Sequence, residues 1–139
     1  MDTELEKYIQ INDSKYILEH IQDVQNLLIQ SYWANNRDID TIRTSIENSC
    51  CFAIIDKDTD TIVAFARAIT DFATMYYLAD VIVDERYRKK GLGKKMVSWI
   101  TRQEPRLKKQ YGVLLTKDAQ DLYSQYGFYD YADHCMCKF

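Results

Sequence analysis

Apolar residues recur along the chain at two spacings, and the places where the spacing changes mark its elements. A first strand is predicted near Leu5 to Ile11. Ile17, Ile21, Val24, Leu27 and Leu28 then fall at helical intervals, with Asp13 or Ser14 placed to cap the start of a long amphipathic helix. A second helix is predicted from Ile39 to Glu47, after the polar stretch Asn35-Asn36-Arg37-Asp38. Three β-like runs follow, Cys51 to Ile55, Ile62 to Ile69 and Met75 to Val83, the first two joined by the polar turn Asp56 to Asp60, which reads as an antiparallel meander. Leu92, Met96, Trp99 and Ile100 mark the buried face of another helix. Val113-Leu114-Leu115 reads as a strand, Asp118 to Tyr126 as a helix closed by Gly127, and Phe128 to Phe139 as one or two last strands. The order βααβββαβαβ, with a final extra strand, predicts an α/β domain whose mixed sheet joins antiparallel strands to parallel ones.

Composition narrows this further. A chain of 139 residues, 47% apolar and 13% aromatic, can build one core, and no repeat, low-complexity tract or linker divides it, so residues 1–139 are read as a single domain. The longest apolar runs, such as Phe52 to Ile55, are far too short to cross a bilayer, and the acidic N-terminus lacks the features of a secretion signal. The expectation is a cytoplasmic protein without a membrane partner. Cys50-Cys51 and Cys135-x-Cys137 match neither a zinc ribbon nor a redox pair; reduced, packed thiols and no metal site are expected, even with His134 beside the second pair.

Charge is uneven. The net charge is −3, yet Asp84 to Lys95 holds six cations against two acids, a local +4 that leaves −7 on the remainder. Such a chain is poorly suited to following a nucleic-acid backbone and well suited to gripping a compact polyanion. The cationic segment runs from a strand into a helix, whose N-terminus presents unpaired N–H groups, and Gly91 and Gly93 remove side chains that would keep a pyrophosphate away. No Walker sequence is present, and Met96 stands where a dinucleotide fingerprint needs its third glycine.

Arg88-x-x-Gly91-x-Gly93, following Val81-x-Val83, resembles the Arg/Gln-x-x-Gly-x-Gly/Ala motif of the GNAT superfamily of acetyl-CoA-dependent N-acetyltransferases. Asp118-Ala119-x-x-Leu122-Tyr123-x-x-x-Gly127-Phe128 is similar to that superfamily's C-terminal motif, with Asp118 in place of the commoner asparagine. The two blocks cover about the last 65 residues in the right order; the N-terminal half matches only in its pattern of elements. The resemblance implies a GNAT-like acyl-CoA N-acyltransferase fold, with a V-shaped opening between the parallel strands ending near Val83 and Leu115. It implies acetyl-CoA as co-substrate, its phosphates on the backbone of Lys89, Lys90, Gly91, Leu92, Gly93 and Lys94 with Arg88 beside them. Its pantetheine would lie along Val81, Ile82 and Val83, with the Val81 N–H toward the thioester oxygen and Asp118 accepting a pantetheine N–H. Asp118 reads equally as a helix N-cap.

By the same resemblance Tyr123 is the proton donor to the departing thiol; Ala119, Leu122, Tyr123 and Tyr126 share a helical face, so a core role also stands. Asp80, a lone carboxylate in an apolar strand, is read either as the general base, its pKa raised toward neutrality by burial, or as a hydrogen-bonded structural acid. Strand alternation sets Asp80 and Ile82 on one face, opposite Tyr77, Ala79 and Val81, with Tyr77 as the alternative base or water anchor. Tyr32, Trp33 and Arg37 are the further candidates for the acceptor pocket, and the −7 remainder favours a small cationic amine. The reaction expected is direct transfer to a small-molecule or peptide primary amine. The rival is a non-catalytic acyl-CoA-binding regulatory module, and pairing of C-terminal edge strands, common in the superfamily, suggests a homodimer.

Overall fold

The structure, a computed structural model, describes residues 3–139, with side chains from Leu5 onward. After a 3₁₀ turn over Thr3–Lys7, the elements are β1 (Tyr8–Ile11), α1 (Ser14–Glu19), α2 (Ile21–Ile29), α3 (Ile39–Glu47), β2 (Cys50–Asp56), β3 (Thr61–Thr70), β4 (Met75–Val83), α4 (Leu92–Ser98), β5 (Tyr111–Leu114) and α5 (Gln120–Ser124). The strands lie in the order β1-β2-β3-β4-β5, antiparallel as far as β4 and parallel between β4 and β5. This is the mixed α/β sheet that the apolar pattern predicts. Among the described residues no helix is long and apolar enough to cross a membrane.

Two cores flank the sheet. On one face Ile17, Val24, Leu27, Leu28, Ile42 and Ile46 of α1 to α3 pack on Cys51, Ala53, Ile55, Ile62, Phe65 and Ile82. On the other, Leu92, Met96, Val97 and Ile100 of α4 and its π-helical extension (Trp99–Gln103) pack on Phe52, Ile54, Ala66, Ala68, Tyr76 and Leu78. Asp13 caps α1, accepting the Lys15 N–H at 3.0 Å, and Asp38 caps α3 by accepting from Thr41 N–H at 2.8 Å.

Two expectations need correction. The single long first helix is broken at His20, which ends α1 and begins α2; its ring, stacked on Tyr16, donates from Nδ1 to the Tyr16 carbonyl at 2.8 Å and competes with the helix ladder there. The last strands do not form: Phe128 to Phe139 contains only a 3₁₀ turn (Ala132–His134), with Tyr129, Met136 and Phe139 almost fully exposed. Alternating aromatic residues look strand-like, but without a sheet neighbour no ladder bonds compensate for ordering them. Cys135 and Cys137 are therefore exposed thiols rather than packed ones, while Cys50 and Cys51 are buried as expected.

The feature that positions the site is a bulge in β4. Phe65 faces Ile82 and Arg67 faces Ala79, so two steps along β3 are matched by three along β4. Asp80 takes up the extra residue with φ of 54°, a left-handed conformation that aspartate tolerates better than most side chains. Tyr76 and Leu78, before the bulge, face α4, whereas Ile82, after it, faces α1 to α3. Farther back, Tyr76 sits opposite Gly112 of β5, and its ring occupies the space of the missing side chain: a Cβ on Gly112 would lie 2.7 Å from it.

Candidate active site

β4 and β5 stay in register from Met75–Tyr111 to Leu78–Leu114 and then part, since β5 ends while β4 continues to Val83. A cleft of about 800 Å³ opens at the fork. Val81, Ile82 and Val83 form one wall, and Asp118, Ala119, Leu122 and Tyr123 form the other. Gln30 to Trp33, at the end of α2, cover it, and Arg88, Lys89 and Gly91 to Lys94 close its outer end. Gln30 ties cover to floor, its side-chain oxygen accepting the Glu85 N–H at 3.0 Å.

The outer end suits an anion. The loop turns through two left-handed residues, Lys89 (φ 65°) and Gly91 (φ 80°), and enters α4. The first bond of the α4 ladder runs from Lys95 N–H to the Gly91 carbonyl, 3.0 Å, which leaves the N–H groups of Leu92, Gly93 and Lys94 outside that ladder. At Gly93 a Cβ would meet protein only at Val83, 4.0 Å away, so the bare glycine opens space toward the cleft. Arg88 holds the turn by donating to the Val83 carbonyl at 3.3 Å. Lys90 does not line the cleft, and Arg86 is engaged with Asp84 at 3.0 Å.

Behind the cover lies a buried charge cluster. Oδ2 of Asp80 accepts from Arg37 Nη1 at 2.7 Å and Arg67 Nε at 2.6 Å, while Oδ1 accepts from Trp33 Nε1 at 3.1 Å. Burial pushes the Asp80 pKa up, but the hydrogen bonds and charges of Arg67 and Arg37 outweigh it and hold the carboxyl below its ordinary range. The expected rise toward neutrality is thus overturned, because burial came with two guanidinium partners.

A family profile for the acetyltransferase (GNAT) domain matches residues 47–130, from the end of α3 past α5 and so through both walls of the cleft. The chain belongs to the GNAT acetyltransferase family. Among solved structures it is similar to a protein from Xanthomonas campestris pv. campestris assigned to the GNAT family, with 29% identity, 95% of this chain and 92% of that chain covered, and a TM-score of 0.84. Glucosamine-6-phosphate N-acetyltransferase from Arabidopsis thaliana shares the fold at 19% identity, with 95% and 97% covered and a TM-score of 0.68. No curated protein sequence matches the chain. GNAT acetyltransferases use acetyl-CoA and act on amine acceptors.

In this GNAT domain Tyr123 lines the cleft while only 9% exposed, edge-on to Phe128 at 6.0 Å; burial pushes its pKa up to about 12. Asp118 also lines the cleft, but Ala119 holds the cap position of α5, its N–H bonded to Thr116 Oγ1 at 3.0 Å, so the N-cap reading of Asp118 does not hold. Tyr32 and Trp33 are half exposed at the cleft, in edge contact at 5.1 Å, and Lys117 reaches over the Tyr32 ring from the opposite wall at 5.5 Å. Tyr77, Asp80 and Arg37 stand outside the cleft lining. Burial chiefly raises the Tyr77 pKa, with the Asp80 carboxylate adding to the rise and the Arg67 guanidinium opposing it. Sequence reasoning missed Gln30, Ser31, Tyr87 and, above all, Arg67. A signal for Arg67 existed, since it is a lone cation in one apolar strand as Asp80 is a lone acid in the next.

Proposed function

We propose that the protein is a cytoplasmic N-acetyltransferase that moves the acetyl group of acetyl-CoA to a primary amine by direct attack, with both substrates bound and residues 1–139 acting as one domain. The observation that carries this reading is the fork between β4 and β5, which places open strand edge, a bulge and free helix N–H groups along one cleft. The donor set fits acetyl-CoA. The α4 N–H groups, with Arg88, Lys89 and Lys94 nearby, would hold its phosphates, and the Val81 to Val83 edge and Asp118 would hold its pantetheine amides. When bound it supplies the acetyl group as an activated thioester.

The chain's own residues then have separate tasks. Val81, left without a register partner on β3 by the bulge, would offer its N–H to the negative charge that develops on the thioester oxygen. Tyr123, with its pKa pushed up to about 12, stays protonated through the neutral range and would donate a hydrogen bond to the departing sulfur. Complete proton transfer is uphill, since an ordinary thiol has a pKa of about 8.5, so the stabilising effect is the hydrogen bond. Neither candidate base titrates near neutrality: Asp80 is held below its usual range and Tyr77 above its own. The amine therefore gives its proton to water at the acceptor end, and Asp80 positions Trp33 and Arg37 around that end. The free edge of β5 and the exposed tail residues Tyr129, Tyr131, Met136 and Phe139 offer a surface for a homodimer.

Titration with acetyl-CoA, followed by thiol release over an amine panel, tests the proposal. Saturable binding with amine-dependent release is expected. Binding without release across the panel would make the domain a regulatory acyl-CoA sensor, and absence of binding would overturn the reading.

A further inference from the structure

The Asp80 cluster holds more positive charge than its fold requires. Its single carboxylate, 3% exposed, receives two guanidinium groups whose side chains are 21% and 13% exposed, those of Arg37 and Arg67. Among the described residues no second carboxylate pairs with either arginine; the other partner of Arg67 is the neutral Ser49 hydroxyl, 3.2 Å from Nη1. The cluster therefore carries a net +1 in a place largely withdrawn from water, and a buried uncompensated charge is costly. One arginine would suffice to neutralise Asp80. A guanidinium has five N–H donors in a planar fork, and Asp80 and Ser49 engage only one on Arg37 and two on Arg67.

The surplus charge lies one carboxylate behind the cleft lining. Trp33 lines the cleft and donates to Asp80 in the same pose, and the residue after Asp80 is Val81, on the cleft wall. We infer that the amine acceptor carries an anionic group, a carboxylate or a phosphate, and that Arg37 with Arg67 receives it; this rests on the acetyl-transfer reading above. An oxyanion with two or more oxygens matches the guanidinium fork and balances the cluster. The −7 of the chain outside the cationic segment argues for a cationic acceptor only at a distance. In physiological salt that field is screened over roughly 8 Å, whereas both arginines bond the same carboxylate as Trp33, which lines the cleft.

The test uses matched amines that differ only in the anion: β-alanine against β-alaninamide for the carboxylate, and phosphoethanolamine against ethanolamine for the phosphate. Each is titrated calorimetrically into protein saturated with CoA, which reads acceptor binding without turnover, and thiol release from acetyl-CoA is followed in parallel. In at least one pair the anionic member should bind tenfold or more tightly. Arg37→Gln, which leaves the Asp80–Arg67 pair intact, should erase that preference through KM rather than kcat, bringing the two members of the pair within threefold of each other, and Arg37→Lys should restore part of it. The pair showing the preference identifies the anion. Members lacking the anion that bind as tightly as their anionic partners, or a preference untouched in folded Arg37→Gln, would overturn the inference. Should that variant not fold, the wild-type pairs still decide. Loss of the parent reading looks different, because acetyl-CoA itself would then fail to bind.

Discussion

Replacing Asp80 by asparagine separates a structural carboxylate from a catalytic base. The substitution keeps shape and one acceptor oxygen but removes the charge that balances Arg37 and Arg67, 2.7 and 2.6 Å away. Removing one partner of a buried pair costs about 3–5 kcal/mol, and the partial exposure of both arginines favours the lower end. For a chain of 139 residues each kcal/mol is worth roughly 3–4 °C in Tm, so the variant should melt roughly 10 °C lower at pH 7. The sign with pH follows from the depressed pKa. A carboxylate whose folded pKa lies below its unfolded value contributes stability that is present above the unfolded pKa, about 3.9, and is lost as pH falls through the folded one. The Tm gap between wild type and Asp80→Asn should therefore be constant from pH 7 down to about 5 and narrow only below about 4. Circular dichroism melts across that range read it directly. In the same variant the rise of kcat/KM with pH should keep its midpoint, since that limb belongs to the amine. An unchanged Tm together with a vanished limb would refute the reasoning and restore Asp80 as the base.

Other substitutions should move fold and function in different directions. Gly93→Ala should leave Tm unchanged or raise it, since its Cβ meets only Val83 at 4.0 Å and alanine gains about 0.5–1 kcal/mol of helix propensity, while calorimetry should show acetyl-CoA binding weakened tenfold or more. Undiminished affinity would remove the α4 N-terminus from the site. Tyr123→Phe should lower kcat by about 10- to 100-fold, as loss of one hydrogen bond to a developing anion does, with acetyl-CoA affinity and Tm nearly kept; steady-state thiol release measures it. Gly112→Ala should cost about 1–3 kcal/mol, because its Cβ would lie 2.7 Å from a Tyr76 ring that is itself buried, and denaturant melts should show the loss.

Much of the fold was legible where periodicity and burial agree. The expected helix from Ile39 to Glu47 and the strand from Met75 to Val83 have those same bounds in the structure, because Ile42 and Ile46 recur one turn apart on the buried side of α3 and apolar residues fill every position of β4 but Asp80. The cleft was legible through motif rather than pattern: Arg88, Gly91, Gly93, Asp118 and Tyr123 belong to the two motif blocks and line one space. The bulge was not legible, since no glycine marks it and Asp80 adopts the left-handed region itself. Its pKa was misread for a related reason. Burial is visible in a strand sequence, but the arrival of Arg37 from the α2–α3 loop and Arg67 from β3 depends on contacts 43 and 13 residues apart. The tail was misread because alternation reports what a segment could bury, not whether a neighbour exists.

The uneven burial of the fork's two sides has a dynamic consequence. β2 is buried along its whole length, whereas all four residues of the edge strand β5 keep some exposure, and β5 holds to the sheet through its short parallel ladder with β4. Amide exchange should therefore be fast in β5 and α5 and slow in β2 and β3, with the β5–α5 unit opening before the rest of the domain unfolds. A ligand spanning Val81 to Val83 and Tyr123 would bridge the slow and fast parts, so its binding energy would appear first as exchange protection at Val113 and Leu114, remote from the phosphate loop.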